Sequence, residues 1–140
     1  LGVPNNPGIA HSIFSALAEA NVDVDMIVQS IRNIEKNVTD MVFTVASDDL
    51  SQAKKIVDEV ADKLNAIAVL IDEDVAKVSI VGAGMLGNPS IAARMFGALS
   101  KAGINIDVIS TSEISISCLI KGLQLKEAVN AIHEEFFPTK

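Results

Sequence analysis

The chain has 140 residues, a formal net charge of −7 and 49% hydrophobic residues, with five Phe and neither Trp nor Tyr. That length permits one ordinary domain or two small ones, and with no basic run the acidity excludes a nucleic-acid backbone as partner. No apolar run approaches the roughly 20 residues of a membrane helix, and the lone Cys118 excludes an internal disulfide framework and fits a reducing, cytoplasmic compartment.

The opening LGVP, without Met, reads as a strand already under way in a longer protein. A loop follows at Pro4-Asn5-Asn6-Pro7-Gly8. Asn6 is expected to cap a helix whose first position is Pro7, where the missing N–H costs nothing. Ile9, Ile13, Phe14, Leu17 and Ala20 recur at helical spacing, and Asn21 ends the run. Alternation over 22–28 predicts a strand, 32–37 is polar and turn-like, and 41–45 predicts a second strand. Asp48-Asp49 opens a second helix with Ala53, Ile56, Val57, Val60, Ala61 and Leu64 on one face. Residues 66–71 predict a further strand. The order is β-α-β-β-α-β, the ferredoxin-like split βαβ, an α+β fold.

The chain then repeats itself. Residues 88–110 match 6–28 at a constant offset, as Phe14 to Phe96 shows (96 − 14 = 82). Over positions 6–27, ten of 22 are identical: Asn6, Pro7, Ile9, Ala10, Phe14, Ala16, Leu17, Ala20, Asp25 and Ile27. Such a long period fits two copies of a small domain rather than a solenoid. A strand over 77–81, a helix over 91–101, strands over 104–109 and 114–120 and a helix over 125–136 complete the second pass. We therefore expect two tandem units, 1–74 and 75–140, each an antiparallel sheet of four strands with helices on one face. The last strand of the second unit is missing or shared with the N-terminal segment.

Three patterns invite chemistry. Gly82-Ala83-Gly84-Met85-Leu86-Gly87 spells the GxGxxG of a dinucleotide-binding turn after a strand, with Asp107 about 20 residues on. Against that reading, Pro89 places the helix start beyond the glycines, Asp107 falls inside the expected strand, and the first copy lacks the glycines altogether. His11 and His133 each stand on a helix with no partner at metal spacing. Ser110, Thr111, Ser112 and Glu113 form a polar island that suits a turn closed by local side-chain bonds. No Ser-His-Asp or Walker pattern is present, so neither catalytic machinery, nor a metal, nor a cofactor is expected in this stretch.

The repeated loop suits a small ligand better. A helix N-terminus at Pro7-Gly8 offers N–H groups and partial positive charge to a carboxylate. Asp23 and Asp25 could hold an ammonium, and Asn5, Gln29 and Asn105 add neutral hydrogen-bonding groups. Together these describe a free amino acid, although the same residues also suit a plain solvent-facing strand and turn.

The Pro-Gly loop, VDVDMIVQS at 22–30, TDMVFTV at 39–45, KVSIVGAGM at 77–85 and NIDVISTSEISIS at 105–117 resemble the tandem ACT regulatory region of bacterial aspartate kinases. The resemblance implies a module that binds lysine and/or threonine and restrains a kinase domain or subunit acting on aspartate. It also implies a homodimer through the ACT units, with the effector at the seam. Carried onto this chain, the family's effector contacts fall on Asn5, Pro7, Gly8, Ile9 and Ala10, on Asp23, Val24, Asp25 and Gln29, and on Asn105 and Ile106. Ser112 and Glu113 belong to the ISTSE motif. The family's loop usually reads Asp-x-Pro-Gly, whereas Asn5 stands at the acidic position here. Two other readings stay open: a dinucleotide-dependent oxidoreductase fragment, and a dimerisation module with vestigial effector sites.

Overall fold

The computed structural model describes residues 1–83 and 88–139. The chain divides into two compact units, Leu1–Glu73 and Asp74–Lys140.

In the first unit β1 (Val3–Pro4), α1 (Ile9–Glu19), β2 (Val24–Asn33), β3 (Val38–Val45) and α2 (Leu50–Leu64) follow in order. The antiparallel sheet has strand order β1-β3-β2, so β2 is an edge. Val3, Ile13, Leu17, Val22 and Ala53 form the core, with Met41, Phe43 and Val45 of β3 packed against it. Phe14 of α1 meets Phe43 edge to face, 5.3 Å between centroids, a favoured aromatic geometry. One face of the sheet thus carries both helices. On the opposite face Arg32 pairs with Asp40 at 2.9 Å, and the Gly2 amide donates to the same carboxylate at 2.8 Å.

The second unit repeats the plan with β4 (Val75–Val81), α3 (Pro89–Lys101), β5 (Val108–Thr111), β6 (Ser115–Lys121) and α4 (Leu125–Phe136) in sheet order β4-β6-β5. Its core gathers Val78, Met95, Leu99, Ile104, Ile116, Cys118, Ile120, Ala128 and Ile132. The duplication runs further than the offset of 82 residues. After the hairpin it resumes at 75, since a short 3₁₀ turn at Ser47–Asp49 leads into α2 as Gly122–Gln124 leads into α4 (122 − 47 = 75). Ala53 and Ala128, equivalent at that offset, are both buried.

The two repeated helices end alike, for a shared physical reason. Asn21 (φ 59°) and Gly103 (φ 73°) both take the left-handed conformation that closes a helix. The next residue then reaches back: Val22 N–H donates to Leu17 O at 2.9 Å, and Ile104 N–H to Leu99 O at 2.9 Å. This is the Schellman closure, with its apolar contact buried in each unit.

Several expectations need correction. Each sheet has three strands among the described residues, not four. Residues 66–71 join no ladder; two backbone bonds, Leu1 N to Ala68 O at 2.7 Å and Ile67 N to Leu1 O at 2.8 Å, tie them to the chain start. Gly2, at φ 67°, turns out of the extended conformation between Leu1 and Val3 and so interrupts the partner strand. The helix start expected at Asn6-Pro7 is displaced: α1 begins at Ile9 with Gly8 as its cap. Asn88 and Pro89 do start α3. Asn105, Ile106 and Asp107 precede β5 rather than lying in it, so Asp107 stands just ahead of the strand and not inside it.

Cys118 is fully buried, and burial pushes its thiol up to about 11. The native protein should therefore resist a thiol reagent at pH 8 and react once denatured. Because the folded pKa is raised, the contribution to stability is complete below the unfolded value, near 9, and disappears as pH rises through about 11.

Candidate functional site

The loop at the N-terminus of α1 is built by backbone bonds. Asn5 N–H donates to Asn37 O at 2.9 Å, and Asn37 Nδ2 donates to Asn5 O at 3.0 Å. This fixes the loop against the turn between β2 and β3. Gly8 takes φ 89°, which an L side chain adopts at a cost, and nothing within 4 Å would meet a Cβ there. Conformation rather than crowding therefore explains the glycine. Ser12 N–H and Oγ both donate to Gly8 O. No side chain caps the helix and its first turn holds no acidic residue. Ile9 N–H is spent on Asn6 O at 3.3 Å, and the helix end keeps its partial positive charge toward an anion.

Asn5 and Gln29 come together: Gln29 Nε2 donates to Asn5 Oδ1 at 3.5 Å and to Thr39 Oγ1 at 3.2 Å. Pro7, Gly8 and Ala10 are exposed beside them, while Ile9 is half-buried and packs onto the core. The exposed Ile27 lies on the same edge strand, two residues from Gln29.

Asp23, Val24 and Asp25 are placed elsewhere in the unit. Asp23 follows the C-terminal end of α1, whereas the loop sits at its N-terminal end, and the 11-residue helix between them spans about 16 Å. Along β2, Asp25 is four residues from Gln29, about 13 Å of extended strand. One unit alone therefore does not set the carboxylate pair beside the helix N-terminus. Val24 is spent on packing, facing Val45 in the ladder.

Asn105, Ile106, Ser112 and Glu113 belong to the second unit. Asn105 Nδ2 donates to Asp107 Oδ1 at 3.3 Å, and Ile106 packs against the core. Ser112 closes the β5–β6 hairpin: its Oγ accepts from Ile114 N–H at 3.3 Å and Ser115 N–H at 3.1 Å. Glu113 is exposed at the tip. The polar island is thus a turn with local bonds. The counterpart of the Gly8 loop differs too, because Ser90 stands in place of Gly8 and donates to Asn88 Oδ1 at 2.6 Å.

The dinucleotide fingerprint meets an antiparallel sheet. β4 pairs antiparallel with β6 and, among the described residues, has no parallel neighbour, whereas that motif works at the switch point of a parallel sheet. Residues 84–87, which hold its last two glycines, lie outside the described residues. Among the described residues no helix is long and apolar enough to cross a membrane.

The residue that sequence patterning missed is Thr39. The available signal was a hydroxyl in the core-facing row of β3, two residues before Met41.

Comparison with known proteins places these features in context. An ACT-domain family model matches residues 1–60 and 78–136. The aspartokinase of Mycolicibacterium smegmatis is 46% identical over 136 residues, which is 97% of this chain and 32% of that protein. The chain therefore spans about a third of the length of such relatives. The ligand-free structure of the regulatory subunit of aspartate kinase from Thermus thermophilus superimposes with a TM-score of 0.87 at 39% identity, covering 96% of this chain and 87% of that one. The aspartate kinase of Synechocystis superimposes at 0.92 and 43% identity over 99% of this chain and 25% of its own.

Proposed function

The chain belongs to the ACT-domain family, as the tandem regulatory region of the aspartokinases, and from that premise we propose that it senses a free amino acid and passes the signal to a catalytic partner. The ligand is lysine and/or threonine. The partner is an aspartate kinase domain or subunit that phosphorylates the side-chain carboxylate of aspartate. The Thermus regulatory subunit and the longer Synechocystis kinase support either arrangement.

The observation that carries the reading is the meeting of Asn5 and Gln29 beside the open N-terminus of α1. The helix end suits the ligand's carboxylate, and the amide pair offers neutral hydrogen bonds next to it. A charge for the ammonium must come from farther off. β2 supplies one route, since it is a ten-residue edge strand with Ile27 half exposed. An edge of that length calls for a cover. Antiparallel pairing with a second copy about Ile27 would set Asp25 of the partner subunit opposite Gln29. The site would then be completed by the homodimer and occupied at its seam. Ligand binding restrains the kinase only if it favours one arrangement of the assembly over another, which requires unequal affinity for the two.

Titration calorimetry on the 140-residue chain tests this. Lysine, threonine or the two together should give saturable heat. Absence of heat with all three sinks the effector reading. A dimerisation module with vestigial sites is favoured by one observation, the neutral Asn5, and it predicts a dimer whose melting temperature ignores amino acids.

A further inference from the structure

One residue of β3 is out of character for its place. The row facing the helices reads Thr39, Met41, Phe43, Val45, and Thr39 is only 2% exposed. Among the described residues it is the one buried polar side chain. Valine has nearly the same shape, favours strands and would bury no polar atom. A buried hydroxyl is costly unless bonded, so Thr39 needs a reason.

Its bond supplies one. Thr39 Oγ1 accepts from Gln29 Nε2 at 3.2 Å, and the same nitrogen donates to Asn5 Oδ1 at 3.5 Å. Gln29 is itself exposed. A buried hydroxyl thus anchors a solvent-facing amide at the site. Nε2 carries two hydrogens, one for each acceptor. Turned over, the amide would set its oxygen against Asn5 Oδ1.

We infer that Thr39 is a positioning residue for the amino-acid site: by holding Gln29 Nε2 inward, it leaves Gln29 Oε1 as the acceptor facing a ligand's ammonium. The assignment rests on the effector reading above. Thr39 touches no ligand. It acts through Gln29, and Asn5 sets the sense of the amide.

The experiment is a calorimetric titration with lysine and with threonine on wild-type, Thr39→Val, Thr39→Ser, Gln29→Met and the Thr39→Val/Gln29→Met double variant. Thr39→Val should bind about five- to tenfold more weakly while its melting temperature does not fall. Thr39→Ser, which keeps the hydroxyl, should stay within about twofold of wild type. Gln29→Met should lose the same factor, and Thr39→Val should add nothing to it, the signature of two residues acting as one. Wild-type binding combined with unchanged affinity in Thr39→Val overturns the positioning role and leaves the effector reading standing. Absence of heat from the wild-type chain with both amino acids overturns the effector reading and the positioning role with it. Should Thr39→Val fail to fold, the exposed Gln29→Met variant decides, and undiminished affinity there overturns the proposal.

Discussion

Leu99→Ala is expected to destabilise the chain by about 3 kcal/mol, and Leu17→Ala by a similar amount. Both side chains are fully buried and stand at equivalent positions of the duplication (99 − 17 = 82). Each does two jobs. Its side chain fills the layer between helix and sheet, beside Ile104 and Met95 in one unit and Val22 and Ile13 in the other. Its carbonyl accepts the bond that ends the helix, from Ile104 and Val22 respectively. Alanine keeps the carbonyl but leaves a cavity where side chain and closure meet, and the rigid sheet beneath can collapse into it only in part. Urea titration should show a lower midpoint. Lys101→Ala, exposed on the last turn of α3, should stay within about 0.5 kcal/mol of wild type. A loss below about 1 kcal/mol for either leucine would mean that the layers repack freely.

The same leucines explain why so much of the fold was legible in the sequence. Helical spacing of apolar residues, repeated at constant offset, places two helices on two sheets with little room for another solution. Edge detail was harder to read. Residues 66–71 have the apolar, β-branched composition of a strand, yet Ile67 and Leu70 are 65% and 75% exposed, because Gly2 bends the strand they would have joined. Composition reports what a segment could do and not whether a partner edge is straight. The cap at Gly8 was obscured by Asn6-Pro7, a good start signal that Asn88-Pro89 uses and the first copy does not. Gly8 can turn left-handed one residue later, where the second copy has Ser90. At the site, adjacency in sequence misled. Asp23 and Asp25 look close to the loop when residues are counted, but α1 carries the chain the whole length of the unit between them. Thr39 went unnoticed because one hydroxyl in an apolar strand is ordinary until its bond to Gln29 is seen.

Asn5→Asp should tighten binding of the amino-acid ligand about five- to tenfold. Asn5 Oδ1 already points at Gln29 Nε2, and a carboxylate there would keep that bond while adding a charge beside the ligand's ammonium. Hydrogen bonds to charged groups are worth roughly 1 kcal/mol more than neutral ones, and 1.4 kcal/mol is tenfold in affinity. The position is exposed, so the gain should shrink as salt is raised. It should also be lost below about pH 4, where the new carboxyl takes up a proton and again resembles the amide it replaced. Two comparisons separate this from a general effect of added negative charge. A ligand whose α-amino group is acetylated should gain nothing from Asn5→Asp. Asn6→Asp, which puts the same charge one residue along the loop, should gain little. If Asn5→Asp binds no more tightly than wild type at low salt and neutral pH, Asn5 does not face an ammonium. The charge that holds the ligand would then have to be sought on β2, at Asp25 brought across from a second copy of the chain.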